Sequence, residues 1–212
     1  MDFHDLTRPL DFAALARPVR FAQARANEVP APFVHPGCTN RRLAALREAA
    51  DVLAHLPGPG EALHAIMTGR YDLTDLCDVI LARLGTVAHL RVATLSFNAR
   101  NSARLRAWVD GRAVERLTLL CSKFFVRHFP EVYQEVRQAL APPHAVAASR
   151  NHCKLVCFHF ADGRKMALEG SANLRTNSNT ENATLIHDAA VHDFHAGYID
   201  GEVSRHGGPE GE

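Results

Sequence analysis

Apolar positions along this chain change period several times, and the changes mark its elements. From Arg41 to Leu56, Leu43, Leu46, Ala50, Leu53 and Leu56 recur at three- and four-residue steps, the spacing of an amphipathic helix, which Pro57-Gly58-Pro59-Gly60 stops. Glu61–Thr68 is left as a short helix, and a clear one follows over Leu73–Leu84, with Thr74 or Asp75 as cap and Gly85 as stop. The period then shortens. His89–Phe97 and Val114–Cys121 are rich in strand formers and flank a helix over Ala99–Val109 that Asn98 can cap. Pro130 suits a first helical turn continuing to Leu140, and Ala145–Ala148 is a short apolar strand. Lys154–Phe160 and Arg164–Glu169 are strand-like arms joined through Asp162-Gly163, a strong hairpin signal. A polar loop, a strand over Ala183–His187 and a helix over Ala189–Asp200 close the pattern.

This rhythm predicts a layered α/β/α domain with a mixed, largely parallel central sheet. It divides the chain into an irregular, proline-rich N-terminal arm (residues 1–40, with a short helix near Phe12–Ala16), a single α/β domain (residues 41–200) and a glycine-rich tail (residues 201–212). The arm either wraps the domain or a partner or is a loosely ordered terminus.

Composition narrows the function classes. The 212 residues are 47% hydrophobic and 22% charged with a formal net charge of +1, so no bulk charge advertises nucleic acid or an anionic membrane. No run approaches a membrane span, and the acid-bearing start lacks the apolar core of a signal peptide, which points to a cytoplasmic protein. The five cysteines form no CxxC and no zinc spacing, so they read as reduced core thiols, with no metal or cofactor expected. Asp72, Asp75 and Asp78 repeat every three residues without the glycine turn of a calcium loop and read as a solvated helix face, with Arg100, Arg104 and Arg106 as surface arginines. Trp108, Phe124 and Phe125 read as core rather than as a base-stacking platform.

Chemistry concentrates between Asn151 and Asn182. His152 and Lys154 are two residues apart and project from one side of a strand; the turn Gly170-Ser171-x-Asn173 follows the hairpin, and Glu181 comes after it. An imidazole, an ammonium, hydroxyl and amide donors and a carboxylate suit an anionic tetrahedral group such as a phosphate. The same residues can also be a solvated strand end, ordinary turn formers and a surface acid.

The pattern H-x-K, a hairpin and G-S-x-N with a following glutamate resembles the phospholipase D superfamily, in its smaller, single-motif nuclease-like branch. The resemblance covers residues 150–200, with the strands over His89–Cys121 compatible. It implies His152 as nucleophile forming a covalent phosphohistidine, Lys154 as phosphate-binding cation, Gly170, Ser171 and Asn173 as substrate-binding residues, and Glu181 holding the other ring N–H. With one H-x-K in the chain, it implies a homodimer whose second His152 is the acid/base, needing no metal. The chain departs from the family at His159, where an aspartate is usual. The reading is a metal-independent phosphodiester hydrolase, nucleic acid favoured over lipid; the alternative is a catalytically impaired phosphate- or nucleic-acid-binding module of a larger assembly. Lipid headgroup hydrolysis finds no apolar interfacial loop to support it.

Overall fold

A computed structural model describes residues 37–175 and 179–207, with the side chains of residues 37–42 excepted. Residues 1–36 of the proline-rich arm, with the short helix predicted near Phe12–Ala16, and the last five residues of the tail lie outside the described residues; residues 37–40 of the arm open the first helix. Thirteen elements follow one another: α1 (Gly37–Val52), β1 (Ala62–Met67), α2 (Leu73–Leu84), β2 (Val87–Ala93), α3 (Ala99–Asp110), β3 (Leu117–Ser122), α4 (Lys123–His128), α5 (Pro130–Ala139), β4 (Ala145–Ser149), β5 (Leu155–Phe160), β6 (Lys165–Gly170), β7 (Glu181–Ile186) and α6 (Ala189–His206). The strands form one seven-stranded sheet in the order β1-β7-β6-β5-β2-β3-β4.

The sheet is mixed, as expected, but its parallel part is confined to β2-β3-β4. The pairings β2–β5, β5–β6, β6–β7 and β7–β1 are all antiparallel. Five strands still run the same way, because β5 and β7 alone are reversed. The hairpin at Asp162-Gly163 is responsible: it returns the chain beside itself, and Gly163 takes the positive φ of 90° that such a turn requires.

Three elements differ from the pattern reading. Residues 62–67 form edge strand β1 rather than a helix; six residues are too few to separate the two periods, and pairing with β7 decides for the strand. α4 arises where Ser122 Oγ accepts from the Phe125 N–H at 2.9 Å, a cap that shows no apolar period. α6 runs past Asp200 and Gly201 to His206, because Val203 packs onto the sheet and offsets the roughly 1 kcal/mol helix penalty of a glycine.

The core is two-sided and unequal. On one face α1 to α5 cover Leu90, Val92, Leu117, Leu119, Val156 and Phe158. On the other, α6 is the one helix among the described residues and crosses β4, β3, β2, β5 and β6, packing Ala196 and Ile199 against Leu120, Ala147, Leu155 and Cys157. Strand directions bring the ends of β1, β2, β3, β4 and β6 and the starts of β5 and β7 to one edge of the sheet. Every residue of the sequence motif lies on that edge.

Candidate active site

His152 and Lys154 lie in the turn that enters β5. Asn151 builds this turn: it is 2% exposed, its Nδ2 donates to Thr94 O (3.0 Å) and Leu120 O (3.5 Å), and its Oδ1 accepts from the Cys153 N–H (2.9 Å) and Tyr198 Oη (3.3 Å). A side chain tied to two strand ends, its own loop and α6 leaves the following histidine one exit, toward solvent. His152 is exposed, and Lys154, 9% exposed, folds its Nζ back onto His152 O (2.7 Å) and Nδ1 (2.8 Å). Burial lowers the Lys154 pKa from its ordinary value, and the Cys153 and Glu181 charges oppose that fall.

The ring contact has a tautomeric consequence. An ammonium can only donate, so with Lys154 charged Nδ1 accepts and the proton resides on Nε2. That form offers Nε2–H to a ligand as a hydrogen-bond donor; a ring that protonates a leaving group must be the imidazolium, with both nitrogens carrying protons. Nucleophilic attack through Nε2 requires Lys154 to swing toward a phosphate and Nδ1 to gain the proton.

The second half of the site is the β6–β7 connection. Gly170 sits where an added Cβ would lie 2.1 Å from Asn182 O, so only glycine lets β6 approach β7 and Ser171 N donate to that carbonyl (3.1 Å). Close packing thus accounts for Gly170. Ser171 Oγ donates to Glu181 Oε2 and accepts from Asn182 N at 3.0 Å. Asn173 turns its Oδ1 inward to the Leu95 N–H (3.2 Å) and Thr94 Oγ1 (3.5 Å), a backbone donor that fixes which end of the amide is oxygen. Lys154, Gly170 and Ser171 line one shallow depression, while Asn173 and Glu181 line its neighbour with Asp72 and Arg175.

Both halves hang on the segment after β2. Thr94 accepts from Asn151 through its carbonyl and from the Leu174 N–H (3.4 Å) through its hydroxyl, and Ser122 Oγ donates to Leu95 O (2.7 Å). The motif gives no hint of this bracket, since Thr94 sits in an ordinary strand run. Asn151 carried a weak signal, a small amide between a strand and the H-x-K, and Tyr198 carried none.

Several expectations change. His159 is half-buried on β5 with its ring 6.1 Å from that of His192, which is 1% exposed. Cys153 is exposed beside Lys154, unlike Cys77, Cys121 and Cys157, whose burial pushes their thiols up, the last two to about 12. Phe124 is 59% exposed, whereas Trp108 and Phe125 are core. The acids over 72–78 are not a solvated face. Asp72, Asp75 and Asp78 are buried around buried Arg104, whose NH1 lies 2.8 Å from Asp75 and 3.5 Å from Asp72 and whose NH2 bonds Asp78. Among the described residues no group of three histidines, cysteines or acids is placed to hold a metal, and no helix is long and apolar enough to cross a membrane.

No family model and no curated protein sequence matches the chain. Among solved structures it is similar to a phospholipase D family member, Nuc from Salmonella typhimurium, at 14% identity and a TM-score of 0.49 over 67% of this chain and 93% of that one. NucT from Helicobacter pylori aligns at 15% identity and a TM-score of 0.44 over 68% and 97%. Polyphosphate kinase from Porphyromonas gingivalis aligns at 14% and 0.49 over 67% of this chain but 26% of its own.

Proposed function

We propose that the chain is a phosphodiester hydrolase, with nucleic acid favoured over lipid, that works through a phosphohistidine on His152 without a metal. The observation that supports it most is the meeting of His152–Lys154 with Ser171–Glu181 and Asn173 on one sheet edge, joined through Thr94 and Leu95. Lys154 swings from His152 to a non-bridging phosphate oxygen, and the Asn173 amide presents its Nδ2 to another. Nε2 of His152 attacks phosphorus, forming the P–N bond as the P–O bond to the leaving group breaks, and the leaving oxygen takes a proton from His152 of a second copy. That ring then removes a proton from water, the water oxygen attacks phosphorus, and the P–N bond breaks to release a phosphomonoester. Glu181 holds Ser171 by its hydroxyl proton, and its negative charge supports that of Lys154.

One observation favours the alternative, a phosphate-binding module without turnover. The position of the family's supporting aspartate is occupied by His159, packed against His192. The two readings separate in one assay. The hydrolase reading expects a dimer that cleaves bis(p-nitrophenyl) phosphate in excess chelator and loses turnover as His152→Ala. Full activity of that variant removes the nucleophile, a strictly monomeric active protein removes the shared site, and binding without cleavage selects the module.

A further inference from the structure

The edge that carries His152 is far more one-sided in charge than the chain as a whole. Segments 94–100, 122–129, 149–154 and 170–175 meet there and contain Arg100, Lys123, Arg127, Arg150, Lys154 and Arg175 but no aspartate or glutamate, in a chain of net charge +1; the acid that β7 brings to the edge, Glu181, is bonded to Ser171. Arg100, Lys123, Arg127, Arg150 and Arg175 are exposed, and none joins an ion pair among the described residues. Strand register sets the pieces side by side. Ser122 of β3 pairs with Ser149 of β4, so Lys123 and Phe124 leave the sheet beside Arg150 and the turn to His152, and Ser122 Oγ ties the same point to Leu95.

Phe124 stands among these cations with 59% of its surface in water. Its ring is held in place: the His128 ring lies behind it at 4.0 Å between centroids, and His128 Nδ1 bonds to Phe124 O at 2.8 Å. Phe129, 44% exposed, stacks instead on core residue Phe125, 5.6 Å between centroids. Unpaired cations spread over four segments match a ligand with repeated phosphates, and a fixed, open aromatic face matches an unpaired base. A duplex hides its base faces, and a lipid headgroup offers a single phosphate. Where two copies share a cleft, these cations repel across it, and a polyanion between them relieves that repulsion.

We propose that Phe124, backed by His128 and flanked by Lys123, Arg127 and Arg150, is a base-stacking platform that leads single-stranded nucleic acid across this edge to His152. The proposal rests on the hydrolase reading only for what happens at His152; the binding stands without turnover. Its test is fluorescence anisotropy of the full chain with a phosphorothioate-linked oligothymidylate of about 20 nucleotides, long enough to cross the edge, in chelator. Phe124→Ala weakens binding roughly 10-fold, Phe124→Trp restores it, and a duplex of the same length binds about 10-fold more weakly than the single strand. Arg127→Ala reduces the salt dependence by about one phosphate contact. Hydrolysis of bis(p-nitrophenyl) phosphate, too small to reach Phe124, is unchanged in Phe124→Ala.

Unaltered binding by Phe124→Ala, or equal affinity for the duplex, overturns the platform. So does a Phe124→Ala protein that falls from dimer to monomer in light scattering, which makes the ring an interface residue. Loss of binding to phosphatidylglycerol vesicles alone overturns it in favour of lipid. Absence of small-diester turnover in the wild type with the binding pattern intact sinks the hydrolase reading and supports the platform.

Discussion

Asp72, Asp75, Asp78 and Arg104 are shut away at 1–6% exposure, while the other cluster of ionisable groups, His152 with Lys154, opens its imidazole to water. In the buried knot the bonds point inward. Arg104 spans all three carboxylates, Trp108 Nε1 donates to Asp78 at 2.6 Å, and Asp72 and Asp75 cap α2 reciprocally. In the open set, among the described residues, Lys154 donates to His152 O and Nδ1 and no hydrogen bond engages the outer edge of the imidazole. The two are mechanically joined, since Asn101 Nδ2 donates both to Thr74 Oγ1 (3.4 Å) and to Leu174 O (3.1 Å) of the Gly-Ser-x-Asn loop. A closed ionic cluster therefore underpins an open one, which keeps unspent donors for a ligand. Charge at close quarters marks a site only where water or substrate can reach it.

The sharpest way to break this division is a reciprocal pair of substitutions. His152→Ala lowers kcat for a model diester by roughly a thousand-fold or more, with the urea midpoint unchanged. Arg104→Met leaves three buried carboxylates without their cation and destabilises the fold by about 3–5 kcal/mol, read as a lower urea midpoint, while folded protein retains its turnover. If Arg104→Met is stable but inactive, the knot belongs to the chemistry and the division fails.

A smaller effect tests the bracket between the two. Asn151→Ala removes the tie from His152's turn to Thr94 and Leu120, and kcat for the diester falls about 10- to 100-fold, with KM little changed, as the near-attack geometry loosens. A rise in KM alone at constant kcat assigns Asn151 to binding instead of positioning.

The contrast also explains what could be read in advance. The helices over 73–84 and 99–110 and the strands over 145–149 and 155–160 announce themselves, because period, caps and Asp162-Gly163 act locally. The motif residues announce themselves too, because phosphate chemistry restricts the residue types. Hidden from the chain were relations between distant segments. The D-x-x-D-x-x-D spacing is the same on a solvated face and on a buried one, and only Arg104, 26 to 32 residues later, decides between them. The Asn151–Thr94 tie spans 57 residues, and the exposure of Phe124 depends on α4, whose 6 residues are too few to show a period.

Under α6 the sheet offers a pH handle. His89 is buried against Thr118 (Nε2 to Oγ1, 2.9 Å), and burial first, then the Arg91 and Arg116 charges, lower its pKa to about 4, with His159 adding and Asp200 opposing. His192 is lowered in the same direction, chiefly by burial. Groups with depressed folded pKa values contribute stability that is present above the unfolded value near 6.5 and lost as pH falls through the folded one. Stability therefore drops between about pH 6.5 and 4, by on the order of 2–3 kcal/mol for His89 over the full span. His89→Gln, which keeps a donor for Thr118, flattens that part of the Tm profile; an unchanged profile removes His89 as its source.

The smallest effect discriminates most finely within the knot. Three carboxylates face one guanidinium, and burial first, then the Asp72 charge, raise the Asp75 pKa against the pull of Arg104. A carboxyl raised in the folded state contributes stability only below its unfolded value near 3.8 and loses it as pH rises through the folded one, so at neutral pH the ionised form is a cost. Asp75→Asn removes that charge and keeps an amide oxygen to accept from the Asp72 N–H in the capping box (2.8 Å in the carboxylate). Arg104 retains Asp72 and Asp78. The variant is expected to be as stable as the wild type, or more stable by about 1 kcal/mol, at pH 7.5, with the difference vanishing toward pH 4. A loss of more than about 2 kcal/mol at pH 7.5 means that Arg104 needs all three aspartates, so that the knot is held by charge pairing and not by caps and burial.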